Sequence, residues 1–201
     1  AVLARRPQIA CIDDLSAATH TVQAENKRLE GQLGETHAEL NRLRENLEQV
    51  RRDAMTDGLT NLANRKSGDE TREAACAQAD ASGQALCLGI LDIDHFKGFN
   101  DTWGHQIGDQ VLRYVSSVIG RMGAAPRLAA RYGGEEFAII FPAEQTDVAH
   151  AVLEEIRLEV SSRALKRRST NEDLGAITVS SGVAERVPGE PSANLVERAD
   201  N

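Results

Sequence analysis

The sequence predicts an α+β fold: a ferredoxin-like sandwich with helices covering an antiparallel sheet, preceded by one long coiled-coil helix. Three observations predict it. Apolar residues recur every seven positions across the first fifty residues; the remainder alternates strand-like and helix-like runs in the order β-α-β-β-α-β; and a Gly-Gly turn joins the second and third strands. At 201 residues the chain holds one ordinary domain plus an extension, and 41% hydrophobic residues suffice for a core.

The extension comes first. One apolar seam runs through Leu15, Val22, Leu29, Thr36, Leu43 and Val50, and a second, three residues ahead, through Thr19, Asn26, Leu33, Leu40 and Leu47. These are the d and a positions of a coiled coil, and a buried amide such as Asn26 at an a position commonly fixes the register of a parallel dimer. The flanking charges cancel as evidence: Glu39 faces Arg44 attractively across such a dimer, whereas Glu25 faces Glu30 repulsively. Gly31 and Gly34 fall on outward positions, where they soften the rod without interrupting the seam. A parallel homodimer is expected; the alternative is a single amphipathic helix packed on its own domain. The helix should stop near Met55, where "TDGLTNLANR" supplies turn-forming residues in quick succession. The expected division is therefore a helical region, 1–54, and a domain, 55–201.

Within the domain, a helix is expected from Asn64 or Arg65 to Ala81, followed by "ALCLGILDID" (85–94), an apolar run typical of a strand buried on both faces. A short helical turn at "HFKGFN" precedes a helix from Gln106 to Ile119. The hairpin "RYGGEEFAII" (131–140) follows, its Gly-Gly turn free to reach positive φ. "TDVAHAVLEEIRLEVSSRAL" repeats apolar residues at helical spacing, with Asp147 favourably placed near its start. "AITVSSGVAER" reads as a strand and "SANLVERAD" as a last helix. A split βαβ arrangement with helices on one face of the sheet brings the end of the first strand beside the hairpin.

That adjacency gives the acids a purpose. Asp92 and Asp94 at the strand end face Glu135 and Glu136 across neighbouring strands, and converging carboxylates repel unless cations neutralise them. Oxygen-only ligands suit Mg²⁺ or Mn²⁺. A net charge of −8 argues against a general nucleic-acid binder, and the basic residues between Arg163 and Arg168 read as a solvated helix end or loop. Cys11, Cys76 and Cys87 show neither metal spacing nor an even count, so reduced thiols and a cytoplasmic setting are expected. No apolar run approaches the roughly 18 residues that span a bilayer, so no direct membrane contact is expected. Without an initiator Met or signal peptide, the chain reads as part of a longer protein with an upstream sensory region or membrane segment.

Four stretches, "DGLTNLANR", "LDIDHFKGFNDTWGHQIGDQVL", "RYGGEEF" and "LVERAD", resemble in order and spacing the GGDEF-domain diguanylate cyclases, from about Asp53 to Asn201. The resemblance implies a nucleotidyl-cyclase palm that condenses two GTP into cyclic di-GMP, one GTP per domain of a dimer. It further implies that Asp92, Glu135 and the Ile93 carbonyl hold Mg²⁺, with Glu136 a further ligand. Glu135 would also help deprotonate the attacking hydroxyl, although a lone carboxylate is a weak base for an alcohol. Lys97 would place positive charge on the phosphates, and the backbone at His95 and Phe96 would turn around them. Asn100 and Asp109 would read guanine, whose N1–H and N2–H suit a carboxylate, while Gly134 lets the base lie against backbone.

Two departures stand out. Many family members carry an inhibitory RxxD product site before the hairpin; here those positions are Ala124 and Arg127, so no feedback inhibition through that surface is expected. Family members also continue beyond the equivalent of "ADN" through a helix bearing a phosphate-binding lysine and arginine, so the native chain is expected to continue. Rival readings are a GTP-binding regulatory module without turnover and a structural dimerisation module.

Overall fold

The computed structural model describes residues 6–166 and 172–201. The side chains of Cys11 and Leu15, and Arg167 and Arg168 of the basic stretch, lie outside the described residues. The chain forms two compact units that divide between Arg52 and Asp53. In the first, helix α1 (Arg6–Met55) carries the heptad seam as one helix of 50 residues. Val22, Leu29, Leu33, Leu40, Leu43, Leu47 and Val50 all lie exposed along it. Glu25, expected to meet Glu30 of a partner, is engaged locally by Arg28 at 2.6 Å.

In the second unit, β1 (Ala63–Asn64) leads directly into α2 (Arg65–Ser82). The Asn64 side chain accepts the Ser67 N–H at 3.0 Å as an N-cap, and Gly83, at φ 69°, closes the helix in the left-handed region. Then come β2 (Leu86–Ile93), α3 (Phe96–Trp103), α4 (His105–Met122), β3 (Leu128–Arg131), β4 (Glu136–Pro142) and α5 (Thr146–Ser162). A separate ribbon of β5 (Ala164–Lys166) and β6 (Asp173–Ala176) precedes β7 (Val179–Glu185) and α6 (Ser192–Asp200). The main sheet has the order β1-β3-β4-β2-β7, and its four long strands pair antiparallel in the ferredoxin-like arrangement.

The structure corrects the expected architecture in two respects. The parallel pairing of β1 with β3 makes the sheet mixed; a two-residue strand is too short to carry a period. Helices also cover both faces rather than one. Along β2, Cys87, Leu91 and Ile93 pack into a core with Val111, Val115 and Ile119 of α4 and Leu153 and Ile156 of α5. The alternate residues Leu86 and Leu88 pack against Cys76 of α2 and Leu195 and Ala199 of α6. A strand apolar on both sides requires a helical layer on each. Among the described residues, no helix is long and apolar enough to cross a membrane.

Candidate active site

The two central strands end where the acids stand. Asp92 on β2 pairs directly with Glu136 on β4, and one residue further the Ile93 N–H donates to the Glu135 carbonyl at 3.3 Å. Burial, and then the charges of Glu135, Glu136, Asp94 and Asp200, push the Asp92 carboxyl above its usual range. Like charges facing one another across a strand pair are destabilising by themselves.

The acids nevertheless open onto different spaces. Asp92 lines a cavity of about 230 Å³ with Ser180, Gly182 and Asp200. Glu135 lines a larger one, about 470 Å³, with Lys97, Asn100, Asp109 and Gly134. Among the described residues, no three His, Cys, Asp or Glu gather as a ready-made metal cluster. By type, carboxylates and backbone carbonyls are the oxygen ligands that a hard divalent ion takes, with water and phosphate commonly supplying the rest.

Asp94 is held by other partners. Its carboxylate accepts from Thr178 Oγ1 at 2.5 Å and Ser180 Oγ at 2.6 Å, and its N–H donates to the Thr178 carbonyl. Burial opposes its ionisation, but the two hydroxyls and the nearby His95 outweigh that and hold the carboxyl below its usual range. The expected convergence of carboxylates is therefore not assembled here: Asp92 and Glu135 line separate cavities and Glu136 lies over Gly133.

The hairpin assigns its glycines unequal tasks. A Cβ on Gly134 would meet nothing within 4 Å, which leaves open space beside the cavity. A Cβ on Gly133 would fall 2.3 Å from Glu136 Oε2, because that carboxylate lies over it. The turn is closed by the N–H groups of Tyr132 and Gly133, both donating to the Glu136 carbonyl. Arg131 then clamps its outer side: Nε donates to the Gly133 carbonyl at 3.1 Å and Nη2 to the Gly134 carbonyl at 2.7 Å. Its Nη1 reaches Asp57 at 3.1 Å, and Asp57 also accepts from the Thr60 N–H and hydroxyl. Burial raises the Asp57 carboxyl, yet the contacts with Thr60 and Arg131 together bring it below the usual range.

At the start of α3, His95 adopts φ 57°, ψ 24°, and the helix begins immediately after it. A left-handed residue followed by a helical one turns successive N–H groups into a single concavity suited to anionic oxygens. The Phe96 ring is buried in the core. Lys97 and Asn100 follow on α3, and Asp109 faces the same cavity from α4. Asp101, His105 and Arg131 also line it. These three stand within the motif stretches at 91–112 and 131–137, and that position is the sequence signal for them.

Below the hairpin, Arg127 is fully engaged: its guanidinium pairs with Glu144 at 2.8 Å, donates to the Met122 carbonyl and lies over the Phe141 ring.

A ferredoxin-like sheet whose central strands end in acids, beside an open cavity lined by a lysine, an amide and a carboxylate, defines a nucleotidyl-cyclase palm. Residues 54–201 match the family model described as diguanylate cyclase, GGDEF domain, and the chain belongs to that family. It is 37% identical over 172 residues to the diguanylate cyclase VdcA of Vibrio cholerae, covering 86% of this chain and 50% of that protein. It is 36% identical over 159 residues to the response regulator PleD of Caulobacter vibrioides, covering 79% of this chain and 35% of that protein. The chain thus spans half or less of these relatives. A solved structure of the coiled coil and GGDEF domain of DgcB from Caulobacter crescentus, in complex with c-di-GMP, is 69% identical. It superposes with a TM-score of 0.82 over 86% of this chain and 90% of that one.

Proposed function

We propose that this chain is the catalytic part of a diguanylate cyclase that condenses two GTP into cyclic di-GMP. In each of two condensations a ribose 3′-oxygen bonds to the α-phosphorus of the other GTP, the bond to pyrophosphate breaks, and the hydroxyl proton is lost. The observation that carries this reading is the single cavity onto which Lys97, Asn100, Asp109, Gly134 and Glu135 all open. Those residue types supply phosphate neutralisation, base recognition and an acid at the reacting end. The relatives named as diguanylate cyclases and the c-di-GMP bound to DgcB support it.

In this reading Asn100 and Asp109 hold guanine, and the backbone at His95 and Phe96 with Lys97 holds the triphosphate tail. Phosphoryl transfer depends chiefly on such positioning and on stabilising spread negative charge. Asp92, Glu135 and the Ile93 carbonyl would hold Mg²⁺ or Mn²⁺, with Glu136 joining once its carboxylate swings off Gly133. When bound, the ion would neutralise phosphate charge and lower the pKa of the attacking hydroxyl. It would also relieve the repulsion that disfavours ionised Asp92. Each domain holds one GTP, so turnover requires two domains face to face, and the apolar seam of α1 would join the two copies in parallel.

The test is direct. The chain incubated with GTP and Mg²⁺ should form cyclic di-GMP and pyrophosphate, and Glu135→Gln should lower the rate at least a hundredfold, as loss of a charge-stabilising group does. GTP bound but unchanged by the unaltered chain would reject catalysis and favour a regulatory GTP-binding module.

A further inference from the structure

Gly108 occupies the first turn of α4, directly before Asp109. Its φ lies outside the left-handed region, so backbone geometry gives no reason for glycine there. The reason lies across the helix pair. A Cβ on Gly108 would stand 1.8 Å from Asn100 Oδ1, 2.9 Å from its Cγ and 3.3 Å from its Nδ2. That Oδ1 is buried and has no hydrogen-bond partner. An amide oxygen buried unpaired is costly, so its seat needs an explanation beyond packing.

We propose that Gly108 is a positioning residue for base selection: its bare Cα forms the notch that receives Asn100 Oδ1 and turns the amide's N–H₂ toward the ligand. This rests on the GTP-binding reading above. With the acceptor turned inward, Asn100 offers the ligand a donor only. A donor at that place pairs with O6 of guanine and conflicts with the 6-amino group of adenine; N7 accepts in both bases and does not distinguish them. Asp109 next to it accepts from N1–H and N2–H, so the two side chains present complementary halves of one guanine edge. Any side chain at 108 must expel the oxygen, and a displaced amide no longer presents its donor in that position. Adjacent Gly108 and Asp109 thus act together, the first through Asn100 and the second by contact.

The experiment measures binding of the α,β-methylene analogues of GTP and ATP by calorimetry to four chains: unaltered, Gly108→Ala, Asn100→Ala and the double variant. Melting temperatures are recorded beside each. Gly108→Ala should weaken the guanine analogue about tenfold, the equivalent of one hydrogen bond, and narrow the guanine-over-adenine preference by a similar factor. In the Asn100→Ala background the same substitution should change neither. Should Gly108→Ala alone melt early, the double variant decides: a recovered melt with the affinity of Asn100→Ala supports the notch, and an unrecovered melt overturns it. Unchanged binding by Gly108→Ala, or an equal loss with and without Asn100, also overturns the proposal while leaving the proposed function intact. An unaltered chain that binds no guanine nucleotide overturns both.

Discussion

Asp92 is the residue whose protonation couples the fold to its proposed ligand. Its pKa is raised by burial and by the neighbouring acids, so between the ordinary carboxylate value and the raised one the folded chain keeps a proton that the unfolded chain has lost. Stability therefore falls as pH climbs through that window, and the penalty persists above it. Asp92→Asn should accordingly raise the melting temperature at pH 7 by a few degrees and leave it nearly unchanged at pH 3. Added Mg²⁺ should stabilise the unaltered chain at pH 7 and stabilise Asp92→Asn much less, since an ion bound only by the folded state adds to its stability. Equal melting shifts in the two chains would remove Asp92 from the ligand set. Asp57 has the opposite sign. Its lowered pKa contributes stability at neutral pH that disappears as pH falls through the folded value. Asp57→Ala strips the half-buried Arg131 of its counter-charge and should cost about 2 kcal/mol in urea unfolding at pH 7. That difference should shrink as pH falls through the lowered folded value, where the carboxylate of the unaltered chain is itself protonated. Asp92 and Glu135 were legible because a strand-end acid motif and a Gly-Gly turn advertise them. The Arg131 clamp was not, because its partners are two turn carbonyls and a side chain 74 positions away.

Elements were legible in proportion to their length. The helices and long strands carry enough residues for a period of 3.6 or 2 to emerge, whereas β1, with two residues, carries none. The β5–β6 ribbon escaped for a related reason: "AITVSSGVAER" reads as one strand, but Ala176 belongs to β6 and the strand that joins the main sheet begins at Val179. Ahead of β3, the two positions that replace an RxxD pair both belong to the loop, and Arg127 is held by Glu144 and the Met122 carbonyl. Added cyclic di-GMP should therefore leave turnover free of inhibition through this surface, and Arg127→Ala should give the same product-inhibition curve as the unaltered chain. Potent inhibition relieved by substitutions at 124–127 would show that the surface binds product after all.

At the scale of the molecule, the exposed seam of α1 bears on assembly. Exposed Leu33, Leu40 and Leu47 lie on one seam of α1, and an apolar seam at heptad spacing associates with another. Leu40→Glu should shift the chain from dimer to monomer in sedimentation at micromolar concentration. Cyclic di-GMP synthesis should then become second order in protein and fall at least tenfold at low concentration; a monomeric variant with full activity at every dilution would separate the seam from catalysis. By itself the sequence determined the long helix, the alternation of strands and helices, the family and the identity of the acids, because periodicity and motif spacing are local properties of a chain. Only the tertiary structure decided that helices cover both faces of the sheet and that Asp94 is spent on Thr178 and Ser180. It also set Glu136 over Gly133 and seated Asn100 against Gly108. Those outcomes depend on which side chains meet after distant segments pack, and the strongest local pattern leaves that choice to the competition between burial and hydrogen bonding in the assembled fold.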